Sequence, residues 1–226
     1  MNNFILSTFD FFIPGFCPAC KTKLDSGSSY VCESCLSKIK KPGQELISSE
    51  FKRKFAGSGI ILDFTSQFIF QKDKELQHII HALKYEKRFL LGIFLGKLLG
   101  ETINKDFSKY KLDAVVPVPL HHLKKAEREF NQSYYIAKGI SKITGIKVNN
   151  HLLKRARYTE SQTTMDLTER EENINKAFVK RKKLNGEHIL IVDDVITTGA
   201  TIRECGKVLL DAGADKIYAA SVAIAE

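Results

Sequence analysis

Tryptophan, long apolar runs and a secretory leader pattern are all missing from this 226-residue sequence. No stretch reaches the ~18 apolar residues that a transmembrane helix needs. The nearest one, from Phe89 to Leu99, is interrupted by Lys97. The opening residues carry no basic cluster, and Asp10 breaks the first apolar run, so we expect no signal peptide. These absences predict a cytoplasmic protein.

Two common phosphate-binding motifs are absent as well. The sequence contains neither the Walker pattern G-x-x-x-x-G-K-[ST] nor the dinucleotide pattern G-x-G-x-x-G. The formal net charge of +9 nevertheless favours anionic partners, either phosphorylated small molecules or nucleic acid. A chain of this length can bury one substantial core and add a small accessory domain.

The most informative stretch is an apolar run followed by two acids and a threonine-rich turn. Ile189 to Val192 predict a buried strand that ends at Asp193 and Asp194. The turn opens into a helix whose first-turn amides suit a phosphate group. Gly199 lets the backbone approach that anion, and three threonines add hydroxyl donors. These are Thr197, Thr198 and Thr201.

The two carboxylates suit sugar hydroxyls, a divalent metal or a developing cation, since they would repel a phosphate. A ligand that combines ribose and phosphate satisfies both halves of the motif. In the alternative interpretation the acids only start a turn and cap the helix. A cap needs one carboxylate, however, and does not require the threonines.

Four of the five cysteines fall in two matched pairs. Cys17 and Cys20 form one C-x2-C pair, and Cys32 and Cys35 form the other. This pattern predicts one structural zinc ion bound by four thiolates. Two disulfides or a redox pair are the alternatives, and a cytoplasmic location disfavours the first. The fifth, Cys205, lies on the apolar face of a predicted helix and is expected in the core.

The remaining sequence predicts an α/β protein with a mainly parallel sheet. The small metal domain either packs against the larger one or contacts nucleic acid or a protein. For the packing, Phe9, Phe11, Phe12 and Phe16 are the candidate anchors. The other predictions are a linker over 41–59, strands in 60–70, a helix over 72–104 broken near 85–87, a strand over 112–116 ended by Pro117 and Pro119, a helix over 132–144, a strand over 177–179 and a last strand over 215–225.

Three basic segments accompany these elements. Lys124, Lys125 and Arg128 follow the strand that ends at Pro117, on the expected ligand edge of the sheet. Residues 154–162 form either a mobile loop that closes over pyrophosphate or a solvated arm. Residues 180–183 predict a solvated turn.

At Val192 to Thr201 the chain resembles the phosphoribosyltransferases, in which such a loop binds phosphoribosyl pyrophosphate (PRPP). Pro117 to Leu120, Arg128 to Gln132 and the zinc ribbon narrow the resemblance to the ComF family of competence proteins. This chain has Glu129 where that family usually has glycine. Further matches to the family pattern are Arg157, Thr159, Gln162, Arg170 and Asn173.

The resemblance implies a type I phosphoribosyltransferase fold over residues 72–226, a zinc ribbon over 1–45, and a linker with peripheral strands over 46–71. It implies transfer of phosphoribosyl from PRPP, with Mg²⁺, to an unidentified acceptor. The implied catalytic residues are Asp193, Asp194 and Arg157. The implied substrate-binding residues are Val195, Thr197, Thr198, Gly199, Ala200, Thr201, Pro117, Arg128, Asn131, Gln132 and Gln162.

The resemblance also implies a role in natural transformation, with single-stranded DNA and a competence helicase or translocase as partners. That role places the protein in the cytoplasm or at the inner face of the membrane. The alternative is a catalytically silent module that binds PRPP or a nucleotide and acts as a scaffold in DNA uptake.

Overall fold

A parallel sheet forms the centre of the protein in the computed structural model, which describes residues 15–24, 30–156 and 177–225. Its strands run in the order β1, β7, β6, β2, β3, and every neighbouring pair is parallel. They are β1 (Asp63–Phe70), β2 (Ala114–Pro117), β3 (Lys147–Val148), β6 (His188–Ile196) and β7 (Lys216–Ala225). Two short antiparallel strands, β4 (Leu153–Arg155) and β5 (Phe178–Lys180), form a separate ladder.

Helices cover both faces of the sheet, which explains why its central strands are apolar runs rather than alternating ones. Leu190 and Val192 of β6 face a core formed with α3 (Glu75–Tyr85), α4 (Phe89–Asp106) and α6 (Gln132–Thr144). Ile189 and Ile191 face a second core with α2 (Gln44–Lys54) and α7 (Ala200–Leu210). The remaining helices are α1 (Glu33–Lys38) and α5 (His122–Arg128), and a short 3₁₀ turn spans Ala56–Ser58.

The predicted helices and strands of residues 72–225 are largely confirmed. The helix expected over 72–104 is present and broken, with Lys87 between α3 and α4 in the left-handed region at φ 54°. The helix predicted over 132–144 has those bounds, and Cys205 is fully buried in the core. β2 ends at Pro117, as its missing amide requires.

Two sequence predictions about local structure are wrong. The stretch over 41–59 is not an irregular linker, because α2 occupies Gln44–Lys54 and packs through Ile47. The strand expected to end at the two acids continues to Ile196. It does so because β7 is long enough to pair with it there, up to Ile224.

The cysteine-bearing segment packs against the larger domain, which is one of the two alternatives that the sequence predicts. Cys17, Val31 and Cys35 join the core formed by α3 and α4. Tyr30 contacts Phe94 of α4, with ring centres 5.9 Å apart. Among the predicted anchors, Phe16 is largely exposed and contributes its backbone carbonyl, which accepts a hydrogen bond from Arg88. The other three, Phe9, Phe11 and Phe12, lie outside the described residues.

Within the described residues, no helix has the length and apolar character needed to cross a membrane. The side chains of residues 180–183 are exposed, as predicted, but Lys180 belongs to β5 rather than to a turn.

Candidate functional site

The candidate site lies where the connections of two neighbouring parallel strands diverge. After β2 the chain crosses to β3 through α6 on one face, and after β6 it crosses to β7 through α7 on the other. Such a switch point opens a crevice beyond the carboxyl ends of the strands. β2 stops at Pro117, opposite Val192, whereas β6 continues. Asp193 and Asp194 therefore lie just beyond the end of β2, at this crevice.

The two acids have different partners. Oδ1 of Asp193 accepts hydrogen bonds from the Ser133 hydroxyl at 2.8 Å and from the backbone amide of Asp194 at 2.9 Å. Oδ2 of Asp194 forms an ion pair with Nζ of Lys84, on α3, at 2.8 Å. Both carboxylates are thus held in place by residues from other elements, Ser133 on α6 and Lys84 on α3.

These partners separate the charges of the two acids. Burial and the neighbouring Asp194 charge raise the pKa of Asp193 to about 7. Burial also disfavours the charged form of Asp194, but the Lys84 ammonium outweighs it and lowers the pKa of Asp194 below its ordinary value. Near neutral pH, Asp194 is fully ionised while Asp193 is only partly so.

The turn after β6 has the backbone of a phosphate loop. Gly199 adopts φ 78°, a left-handed conformation that glycine tolerates best, and α7 begins at the next residue. Thr198 accepts a hydrogen bond from the Ala200 amide at 3.3 Å. A side chain at Gly199 would also place its Cβ 2.7 Å from the Phe55 ring. Close packing against Phe55 therefore adds a second reason for glycine beyond the predicted approach of an anion.

Several cations gather around the acids. Arg128 lies with its guanidinium carbon 5.2 Å from the centre of the Tyr85 ring. Burial lowers the pKa of Lys124, and the charges of Arg155 and Arg128 lower it further. Burial also lowers the pKa of Arg155, an effect that the charge of Asp193 opposes. Cations that lower one another's pKa in this way create a positive potential, which favours a bound anion.

Some predicted site residues serve the local framework. Pro117 is buried at the end of β2. The Asn131 amide donates to the Val118 carbonyl at 3.0 Å, and its side-chain oxygen accepts from the Ser133 amide, which fixes the start of α6. Gln132 is buried, and its Oε1 has no hydrogen-bond partner among the described residues.

The other predicted residues are distributed as follows. Thr197 is exposed, and Thr198, Val195 and Thr201 are half-buried, while Ala200 is buried at the start of α7. Glu129 adopts φ 64°, which explains the glycine usual in the family at this turn, and it forms an ion pair with Lys87. The described residues do not include the predicted Arg157, Thr159, Gln162, Arg170 and Asn173.

Sequence reasoning missed Lys84 and Ser133, and it included Arg155 only as a member of the basic segment over 154–162. Lys84 did carry a signal, because it follows the buried Ile80 by four residues and so lies near the apolar stripe of its helix. Ser133 carried none, since its hydrogen bond to Asp193 joins distant segments.

The four paired cysteines form a second candidate site. Their sulfur atoms all lie within 4.8 Å of one another, and those of Cys20 and Cys32 are 3.6 Å apart. Tetrahedral zinc with bonds of about 2.3 Å requires sulfur separations of about 3.8 Å. Hydrogen bonding with Thr22 lowers the pKa of the Cys20 thiol to about 6, which favours a thiolate ligand. The donor set and its spacing fit a metal such as zinc.

Comparison with known proteins agrees with this arrangement. A phosphoribosyl transferase domain matches residues 131–225. The chain is 30% identical to DNA utilization protein YhgH of Salmonella typhi over 202 residues, covering 88% of this chain and 79% of that protein. It is 29% identical to Competence protein F of Haemophilus influenzae over 148 residues, covering 63% of this chain and 65% of that one.

Among solved structures, a purine phosphoribosyltransferase from Pyrococcus horikoshii matches with 20% identity and a TM-score of 0.36. That match covers 61% of this chain and 73% of the archaeal one. The parallel sheet, the acidic pair before the glycine turn, the four-cysteine cluster and the Salmonella and Haemophilus relatives lead to one assignment. The chain belongs to the ComF family of phosphoribosyltransferase-like proteins.

Proposed function

We propose that the protein binds PRPP in the crevice and transfers its phosphoribosyl group to an acceptor, with release of pyrophosphate. One observation carries the proposal: the half-buried Asp193 and the buried Asp194 lie near the end of β6, just before the Gly199 turn at the start of α7. The cations Lys84, Lys124 and Arg128 support it, because they gather beside the acids where a pyrophosphate group needs positive charge.

The acidic pair would act on the ribose. Lys84 keeps Asp194 ionised, so this carboxylate can accept hydrogen bonds from ribose hydroxyls. Ser133 orients Asp193 through its Oδ1 atom. When the bond between the anomeric carbon and pyrophosphate breaks, its electron pair leaves with pyrophosphate and positive charge develops on the ribose. Two fixed carboxylates stabilise that charge until the acceptor's lone pair forms the new bond.

The phosphates would be held on two sides of the ribose. The amides of the Gly199 turn and the hydroxyls of Thr197, Thr198 and Thr201 would bind the 5′-phosphate. Arg128 and Lys124, with the predicted Arg157 and Gln162, would meet pyrophosphate. The carboxylate oxygens of the site are donors that suit Mg²⁺, and Mg²⁺ bound with PRPP would neutralise charge on the leaving pyrophosphate.

We also propose a role in DNA uptake, supported by the names of the Haemophilus and Salmonella relatives. The partners would be single-stranded DNA and a competence helicase or translocase. In the second candidate function the crevice binds PRPP or a nucleotide without catalysis, and the protein acts as a DNA-binding scaffold. An aromatic–basic surface supports this second candidate function. It consists of Tyr85, Phe89, Arg128, Tyr134, Tyr135 and Lys138.

Contacts join the members of the aromatic–basic surface in two groups, one of Tyr85 and Arg128 and the other of Phe89, Tyr134, Tyr135 and Lys138. Phe89 and Tyr135 have ring centres 5.2 Å apart, and Tyr134 and Tyr135 are 5.4 Å apart. Lys138 lies 5.2 Å and 5.7 Å from the two tyrosine ring centres. Tyr85 and Phe89 are 50% and 44% exposed, so each ring leaves surface on which an unpaired base could stack. Aromatic rings beside cations are typical of single-strand binding.

Two assays distinguish the candidates. Pyrophosphate release from Mg²⁺-PRPP, measured with and without candidate acceptors, is expected if the protein is a transferase. Binding of PRPP with no release for any acceptor would favour the scaffold.

DNA contact is tested by titrating a fluorescent single-stranded oligonucleotide at several salt concentrations. Replacing Tyr85 with leucine should weaken binding about fivefold or more, because stacking on one base contributes ~1–3 kcal/mol. Replacing Arg128 and Lys138 together with glutamine should reduce the salt dependence as well. The charge-matched control replaces Lys182 and Lys183, which lie in the exposed turn. Equal weakening by both double variants would contradict a role for the aromatic–basic surface.

A further inference from the structure

The C-terminal end of α2 reaches the back of the phosphate turn. The Lys54 side chain is only 3% exposed, and its ammonium lies 2.8 Å from a carboxylate oxygen of Glu50. The same ammonium donates to the backbone carbonyls of Thr197 and, at 2.9 Å, of Ala225. An ammonium has three N–H donors, and these three partners use them all. Lys54 thus joins α2, the phosphate turn and the end of β7.

A second cation holds the next carbonyl of the turn. Nη1 of Arg203, in the first part of α7, donates to the Thr198 carbonyl at 2.9 Å and to the Lys54 carbonyl at 2.6 Å. Two consecutive peptide oxygens of the phosphate turn are therefore each bound by a positively charged side chain, and Arg203 also binds the main-chain carbonyl of Lys54.

These contacts determine where the amides of the turn point. In a trans peptide unit the C=O and the following N–H point in opposite directions. Fixing the carbonyls of Thr197 and Thr198 towards Lys54 and Arg203 directs the amides of Thr198 and Gly199 the other way. The Phe55 ring, packed against Gly199, closes the same side of the turn. The amides are left facing away from α2, as a bound phosphate requires.

Burying the Lys54 ammonium costs free energy that packing alone would not require. Burial lowers the pKa of Lys54, although Glu50 opposes this effect, so burial disfavours the charged form of the side chain. An apolar side chain of similar length would fill the space without that cost. The charge and its three directed hydrogen bonds therefore point to a role in geometry.

We propose that Lys54 and Arg203 are positioning residues for the 5′-phosphate, and that α2 is part of the phosphate site. This inference rests on the proposed function, because it assigns a task within PRPP binding. It also predicts which half of the ligand depends on α2. Lys54 and Arg203 support the 5′-phosphate turn, whereas Lys84, Lys124 and Arg128 lie beside the acids.

The test measures the two halves of PRPP separately. Calorimetric titrations with ribose 5-phosphate and with Mg²⁺-pyrophosphate are compared for the parent protein, Lys54→Met and the control Lys52→Met, an exposed position on the same helix. In Lys54→Met, Glu50 keeps its bidentate pair with Arg53, which limits the damage to the turn. We expect ribose 5-phosphate to bind about tenfold more weakly, since a lost charge-assisted hydrogen bond typically has that effect.

Pyrophosphate affinity should stay within about twofold of the parent, because Lys54 supports the 5′-phosphate turn and not the cations beside the acids. Lys52→Met should match the parent for both ligands. Unchanged ribose 5-phosphate affinity in Lys54→Met would overturn the inference, and so would equal weakening of both ligands. If Lys54→Met does not fold, Arg203→Met carries the same test. A parent protein that binds neither ribose 5-phosphate nor PRPP would instead overturn the proposed function itself.

Discussion

Asp193 and Asp194 are adjacent and chemically identical, yet their surroundings give them different charges. Lys84 holds Asp194 ionised, whereas Asp193 shares its Oδ1 with a neutral hydroxyl and a backbone amide. Two neighbouring titratable groups with well-separated pKa values are typical of a functional site. The pH dependence of stability follows from this difference.

The raised pKa of Asp193 makes a prediction about stability. The folded protein binds this proton more tightly than the unfolded chain, whose ordinary value is 3.8. The resulting stabilisation is complete below pH 3.8 and is lost as pH rises through about 7. Asp193→Asn removes the titration and the repulsion with Asp194. We expect the variant to have a higher Tm than the parent at pH 8, and a smaller loss of Tm between pH 5 and 8.

Thermal unfolding of the parent and Asp193→Asn across that range checks the prediction. The control is Asp211→Asn, an exposed position at the end of α7, which should follow the parent at every pH. A parent whose Tm changes no more than that of Asp193→Asn would show that Asp193 does not titrate here. Asp194 acts in the opposite sense, because its lowered pKa contributes stability that is lost only as pH falls through that value.

At the scale of elements, local signals explain what the sequence could predict. α6 was predicted with its bounds because its apolar residues are periodic and both ends carry caps, Asn131 at the start and Gly145 at φ 75° after the end. α2 was missed because Pro42, Gly43, Ser48 and Ser49 are typical of a linker. Its stability comes from packing Ile47 and Phe55 against distant segments, which no local pattern contains.

The zinc site gives a prediction at the same scale. One zinc per chain is expected by elemental analysis, and Cys35→Ser should lose most of it, because three thiolates no longer complete the tetrahedral set. Cys205→Ser is the control, since Cys205 is buried in the other core and burial raises the pKa of its thiol well above the ordinary value. The metal content of Cys205→Ser should equal that of the parent.

Because Cys17, Val31 and Cys35 share a core with α3 and α4, losing the metal should also reduce protection of α1 in hydrogen exchange. Parent protein that is folded over residues 15–24 and 30–40 without bound metal would contradict the assignment.

At the scale of the whole molecule, the sequence predicted the chemistry at the end of one strand better than the assembly around it. The acids, the threonines and Gly199 are contiguous, so their pattern was readable. Lys84 and Lys54 reach the same region from elements that lie more than a hundred residues earlier, and only the sheet order brings them there. The aromatic–basic surface was missed for the same reason, because it combines residues of α3, α4, α5 and α6.

The strand order also explains why these distant residues converge. β2 and β6 are neighbours, so the loop after Pro117 and the turn after Ile196 open at one edge. α3 and α2 flank that edge from opposite faces, carrying Lys84 to the acids and Lys54 to the phosphate turn. The candidate PRPP site is therefore a property of the whole chain rather than of the matched domain over 131–225 alone.

The most direct test of this account is a calorimetric titration of Mg²⁺-PRPP into the parent protein and Asp194→Asn. The substitution keeps the size of the side chain but removes the charge that pairs with Lys84 and would hold the ribose. We predict binding to the parent and a loss of about ten- to hundredfold in affinity for the variant, since charge-assisted contacts contribute ~1.5–3 kcal/mol. Equal affinities, or no binding of PRPP to the parent protein, would contradict the account.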